Sequence, residues 1–151
     1  MQRVMIDIDK CDGCGNCSAA CMQAHRDDQG DIYSLGLSDP LMESRNYILL
    51  DDAGKYIPIF CRHCDEPECM MACMSGALDK DAETGHVYYD ETRCGTCFMC
   101  VMSCPHGLLK PDRAAKSRVI KCDFCKHDKE GPNCVRMCPT KAIYVDEVAP
   151  K

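Results

Sequence analysis

The chain has 151 residues, a formal charge of −6, sixteen cysteines, three Phe and no Trp. That length allows one compact domain or two small ones, and so few large apolar side chains cannot fill an ordinary core, so cross-links or bound metal must support the fold. An acidic balance without a basic run excludes a nucleic-acid binder, and no apolar stretch approaches a membrane span; the start lacks a signal-like segment, which makes the thiol-reducing cytoplasm the expected compartment.

In chain order, Val4-Met5-Ile6 predicts a short strand ending at Asp7. Cys11, Cys14, Cys17 and Cys21 follow, spaced C-x2-C-x2-C-x3-C. Three thiols three residues apart line one tight loop. A cysteine four residues further on has advanced one helical turn and faces a neighbouring space. Gly13 and Gly15 give the loop access to positive φ. The helical turn continues to Arg26, with His25 expected at its end and a hydrogen bond to a bound group or partner as the alternative.

Residues 22–60 read as an insertion. Residues 27–45 are expected to be loop. Asn46–Leu50 and Tyr56–Phe60, flanking Gly54, predict a hairpin, and Pro58 makes its second strand an edge.

The second group, Cys61, Cys64, Cys69 and Cys73, is spaced C-x2-C-x4-C-x3-C. His63 lies inside it; a solvated loop histidine is the expectation, with tuning of a bound group the alternative. Val87–Tyr89 predicts a strand before the third group, Cys94, Cys97, Cys100 and Cys104, which repeats the spacing of the first. A basic segment spans 110–129, with Lys110, Arg113, Lys116, Arg118, Lys121, Lys126 and Lys129, expected to be solvated, to offset buried negative charge or to meet an acidic partner. The fourth group is Cys122, Cys125, Cys134 and Cys138, and Ile143–Val145 predicts the last strand. No cysteine is left over. Met70, Met71, Met99, Met102 and Met137 are interleaved with the cysteines and read as soft filler around sulfur.

Disulfides do not suit a chain with no sign of secretion. Zinc knuckles pair two C-x2-4-C units across a spacer, whereas here every group closes with x3-C and two carry a third cysteine at x2. The first and third groups match the bacterial run for [4Fe-4S] clusters, in which the fourth cysteine serves a second cluster. Groups one and three share V-x-x-D-x-x-[K/R]-C upstream, and groups two and four share P-x-C-x3-C-x3-A downstream. This repeat allows two layouts, sequential (one with two, three with four) or nested (one with four, two with three).

With these sixteen positions, from Cys11-Asp-Gly-Cys14 to Cys134-Val-Arg-Met-Cys138-Pro139, the chain resembles the four-cluster ferredoxin-type electron-transfer subunits of anaerobic oxidoreductases. Ser44-Arg45-Asn46 and the second group resemble most the small subunit associated with carbon monoxide dehydrogenase. The resemblance implies an α+β fold of two nested ferredoxin-like modules, residues 1–21 with 105–151 outside and 61–104 inside, around four [4Fe-4S] clusters. The implied ligand sets are Cys11, Cys14, Cys17 and Cys138; Cys21, Cys122, Cys125 and Cys134; Cys61, Cys64, Cys69 and Cys104; and Cys73, Cys94, Cys97 and Cys100. Met74 departs from the family, which has Pro there, and the long tail of quinone-linked relatives is missing.

With every cysteine used as a ligand and no nucleophile–base pair or nucleotide loop evident, the expected role is a non-catalytic electron conduit. Its partners would be a catalytic redox subunit and a flavoprotein or hydrogenase. Subunits of tungsten or molybdenum aldehyde oxidoreductases or formate dehydrogenases, and a free polyferredoxin, are the alternatives.

Overall fold

A computed structural model describes residues 1–26, 30–36, 43–113 and 117–149. The elements in chain order are β1 (Gln2–Ile6), α1 (Asn16–Ala24), β2 (Tyr47–Leu50), β3 (Tyr56–Ile59), α2 (Glu68–Met71), β4 (Leu78–Lys80), β5 (Val87–Tyr89), α3 (Met99–Ser103), β6 (Lys110–Pro111), β7 (Val119–Ile120), α4 (Asn133–Arg136) and β8 (Ile143–Glu147). Among the described residues the strands form four two-stranded antiparallel pairs, β1 with β8, β2 with β3, β4 with β5 and β6 with β7. Two-stranded ribbons and helices of four or five residues are marginal in isolation, so packing and bound groups must hold them.

The strand order is nested. β1, which precedes the first cysteine group, pairs with β8, which follows the fourth, with Val4 opposite Val145 and Ile6 opposite Ile143. β4, which follows the second group, pairs with β5, which precedes the third, with Leu78 opposite Tyr89. The hairpin predicted over 46–60 forms as β2–β3, with Gly54 in its turn at φ +79°.

Two small cores result. One holds Leu78, Val87, Cys100, Leu109 and Val119, with Cys69, Cys73 and Cys104 packed against them. In the other, Phe60 and Ile143 join Cys17 and Cys134, flanked by Val4, Ile6 and Ile48. Helix α1 lies against α4, and α2 against α3, so each helix pair brings cysteines from distant groups together.

Three expectations need correction. The methionines are mostly not filler: Met71, Met102 and Met137 are exposed, as is Met74. Helices of one turn offer a single inward face, and the cysteines take it. His63 is not solvated but only 2% exposed, because its loop turns inward. The basic segment is solvated only in part: Lys126 and Lys129 are exposed, but Lys110 and Arg113 pair with Glu43, Arg118 pairs with Asp112 and Glu91, and Lys121 is buried. Lys116 lies outside the described residues, as do 27–29 and 37–42 of the expected loop; the described Ile32–Ser34 forms a 3-10 turn capped by Asp31.

Candidate metal centres

The four Cys-x-x-Cys loops share one backbone feature. The residue before the second cysteine has positive φ in each: Gly13 at +73°, His63 at +43°, Thr96 at +56° and Phe124 at +58°. For a residue with a Cβ this conformation costs about 1–2 kcal/mol. Three side-chain-bearing residues accept that cost at the same register, so the turn itself is required. A left-handed residue after a right-handed or extended one aims successive N–H groups into one concavity, which suits an anion such as a sulfur-rich group.

Three voids lie behind these loops. One is lined by Cys11, Cys14, Cys17 and Cys138. A second is lined by Cys21, Cys61, Cys122, Cys125 and Cys134. A third is lined by Cys61, Cys64, Cys69 and Cys104. Elsewhere, Cys73 and Cys94 lie close enough to Cys100 to raise its thiol pKa, after burial as the main cause. Cys14 and Cys97 are exposed, whereas Cys17, Cys21, Cys100 and Cys134 are buried.

Electrostatics define what these sites need. Burial pushes the Cys17 and Cys69 thiols up to about 11. It raises Cys134 and Cys122 as well, reinforced by Cys21 and Cys125 beside the former and by Cys61 beside the latter. Four thiols gathered out of water resist joint ionisation unless metal supplies the compensating charge. An all-sulfur donor set around a void fits an iron–sulfur cluster, and the residues that would hold each are those lining it.

Several polar side chains pack beside these thiols. Lys121, 4% exposed, puts its Nζ 3.8 Å from Cys61 Sγ and donates to the carbonyl of Cys122 at 2.9 Å and to that of Val87. Asp123 accepts from His25 Nε2 at 3.0 Å and from Arg45 at 2.9 Å, and the Arg45 backbone N–H donates to Cys21 Sγ at 3.2 Å. His25 does end α1, as expected, but it is tied into this network. Burial opposes the charged forms of both members; their mutual hydrogen bond prevails, holding Asp123 low and raising His25 to about 10. The repeat also extends to hydroxyls. Ser75 Oγ lies 3.6 Å from Cys73 Sγ, and Thr140 Oγ1 lies 3.7 Å from Cys138 Sγ. Burial works against ionisation of both thiols, yet these hydroxyls and nearby backbone N–H groups bring them below the ordinary value.

Residues 53–148 match the family model described as the 4Fe-4S dicluster domain. The chain belongs to the 4Fe-4S dicluster family. This dicluster protein is 34% identical to the putative electron transport protein YsaA of Escherichia coli (strain K12), over 96% of its own length and 89% of the relative's. It is 29% identical to formate hydrogenlyase subunit 2 of the same organism, over 94% and 80%. Among solved structures it is similar to a chain of the active-site complex BamBC of benzoyl coenzyme A reductase with 1,5-dienoyl-CoA. That likeness has a TM-score of 0.52 and 26% identity and covers 99% of this chain and 78% of the other. The dicluster protein is an iron–sulfur electron-transfer protein. No helix among its described residues is long and apolar enough to cross a membrane.

Proposed function

We propose that this chain holds four [4Fe-4S] clusters in a row and carries single electrons between two redox partners without bond chemistry of its own. The ligand sets are Cys11, Cys14, Cys17 and Cys138; Cys21, Cys122, Cys125 and Cys134; Cys61, Cys64, Cys69 and Cys104; and Cys73, Cys94, Cys97 and Cys100. The observation that carries this reading is the void where three cysteines of the first group meet Cys138 of the last. The nested strand pairing supports the same division, with 1–21 and 105–151 as the outer module, 61–104 as the inner one and 22–60 inserted.

The order of the row follows from shared elements. Helix α1 carries Cys17 toward the first void and Cys21 toward the second. Cys61 borders both the second and the third. Helix α2 and the residues after it carry Cys69 and Cys73, and α3 with its cap carries Cys100 and Cys104, which join the third set to the fourth. The exposed Cys14 and Cys97 belong to the two end sets, where partners would dock. A [4Fe-4S] cluster supplies a one-electron couple over a wide range of potentials. The chain's own part is to hold the sets in sequence, keep the inner two from water and place donors on sulfur.

The partners would be a catalytic subunit and a flavoprotein or hydrogenase, in the cytoplasm. The resemblance at Ser44–Asn46 and in the second cysteine group points to carbon monoxide dehydrogenase. A formate- or hydrogen-linked enzyme is the second reading, favoured by the likeness to formate hydrogenlyase subunit 2. Anaerobic iron and acid-labile sulfide analysis tests the clusters: about sixteen of each per chain are expected for four cubanes, and a zinc-held protein gives neither. The pairing is tested by Cys14→Ser and Cys138→Ser. In the nested reading both disturb the same cluster, so the double variant alters no additional signal in electron paramagnetic resonance. Anaerobic co-purification identifies the partner.

A further inference from the structure

Three of the four left-handed loop residues carry no ring N–H: Gly13, Thr96 and Phe124. The fourth is His63, which lines the void enclosed by Cys61, Cys64, Cys69 and Cys104. Its ring is fixed from several sides. The Val87 backbone N–H donates to His63 Nδ1 at 2.9 Å. His86 packs on the ring with centroids 4.8 Å apart, and Phe124 meets it edge-on at 5.9 Å. Because Nδ1 accepts, the neutral imidazole carries its proton on Nε2. That atom is fully buried and has no hydrogen-bond partner among the described residues. Buried donors in native proteins are almost always satisfied. Here a strained backbone, a backbone hydrogen bond and two aromatic neighbours hold an N–H without a protein acceptor at the wall of a sulfur-lined void.

We infer that His63 is a potential-tuning residue whose Nε2–H donates a hydrogen bond to a sulfur of the group held by Cys61, Cys64, Cys69 and Cys104. The inference rests on the proposed function, which places a cluster in that void. Reduction adds negative charge to such a group, and a donor aimed at its sulfur favours the more negative state, which raises the potential. Lys121 acts in the same direction from the same void, through its Nζ near Cys61 Sγ. Both donors move the potential of the third set upward. The His63 donor enters this void alone, since the equivalent loop positions of the other sets lack one.

The test uses the intact, anaerobically loaded protein with 15N-labelled histidine. In His63→Leu, one reduction equilibrium falls about tenfold, a shift of about 59 mV to lower potential for a one-electron couple, while the others stay in place. Pulsed electron paramagnetic resonance loses one imidazole nitrogen coupling in the same variant. His63→Gln, which keeps an amide N–H of similar reach, restores most of the potential. The inference is overturned if no potential moves in His63→Leu, if the Leu and Gln variants shift alike, or if the coupling survives the Leu substitution. Should His63→Leu fail to assemble, the double variant His25→Gln/His106→Gln carries the test: a retained imidazole coupling supports the assignment and its loss overturns it. A wild-type protein without iron would instead defeat the proposed function, so the two failures are distinct.

Discussion

Lys121 reaches across sixty residues of sequence to bring its Nζ to 3.8 Å from Cys61 Sγ. Cys61 borders two voids, so a single buried ammonium stands between the second and third cysteine sets. Two neighbouring groups of formal negative charge need such compensation in a medium that screens poorly. Lys121→Met keeps the aliphatic bulk but removes the charge, and leaves the Val87 and Cys122 carbonyls without their donor. The loaded protein is expected to lose about 1–3 kcal/mol of stability for each carbonyl left unpaired, read by denaturant unfolding under anaerobic conditions. Its central potentials move to more negative values in a redox titration. An unchanged unfolding midpoint together with unchanged potentials would show that the ammonium is a bystander.

Gly13 and Gly15 sit in the same loop with nearly the same φ, +73° and +75°, yet they answer to different constraints. A Cβ on Gly13 would lie 2.5 Å from the Tyr56 ring, whereas one on Gly15 meets nothing within 4 Å. Gly15→Ala then carries the left-handed penalty alone, about 1–2 kcal/mol. Gly13→Ala adds overpacking of about 1–3 kcal/mol against β3. Thermal unfolding of the two loaded variants is expected to rank them in that order. Equal melting temperatures would mean that the Tyr56 ring moves aside freely.

What was legible in the sequence was the set of thiols and the turns between them, because metal-ligand spacing is a local property written in consecutive residues. The repeat gave the strands that precede groups one and three and follow groups two and four, but not which of them pair. Pairing depends on apolar contacts between Val4, Ile6 and Ile143, more than a hundred residues apart, and nothing in either strand alone names its partner. The glycines were read as the source of the left-handed turns, yet Thr96 and Phe124 adopt the same conformation. The cysteine spacing imposes the turn, and glycine only eases it. His63, Lys121 and Asp123 look like solvated polar residues in sequence. Their burial follows from where tertiary packing turns their loops, and no periodicity signals that. The methionines misled for the opposite reason: apolar composition suggested burial, but one-turn helices have no second inward face to give them.

Asp123 ties three segments together. It accepts from His25 at the end of α1 and from Arg45 ahead of β2, and it caps its own loop by accepting from the Cys125 backbone N–H at 3.1 Å. All three side chains are less than a quarter exposed. Asp123→Ala strands two buried or half-buried donors and is expected to cost about 2–3 kcal/mol. The matched control is Asp9→Ala, which breaks the exposed pair with Lys55 and should change stability by less than about 1 kcal/mol. Parallel unfolding curves of the two loaded variants check the contrast. A comparable small effect in both would place the Asp123 network among ordinary surface ion pairs.

Removal of the bound metal should unfold the chain rather than merely inactivate it. The reason lies in the composition of the cores. Cys17 and Cys134 make up half of the buried members of one, and Cys100 is one of the five buried members of the other. The remaining aliphatic side chains are few. Among the described residues the sheets have two strands each, and three of the four α-helices have five residues or fewer. None of these elements persists alone in water. Once metal leaves, the buried thiols have no charge to offset and the Cys-x-x-Cys loops have nothing to hold them in the left-handed conformation, so the strain there is released by opening. Chelation under anaerobic conditions is expected to abolish most of the far-ultraviolet circular dichroism along with the visible absorbance, in one concerted change. Bleaching with the ellipticity retained would mean that the apolar residues suffice by themselves, and the structural role assigned to the cysteine sets would fall with it.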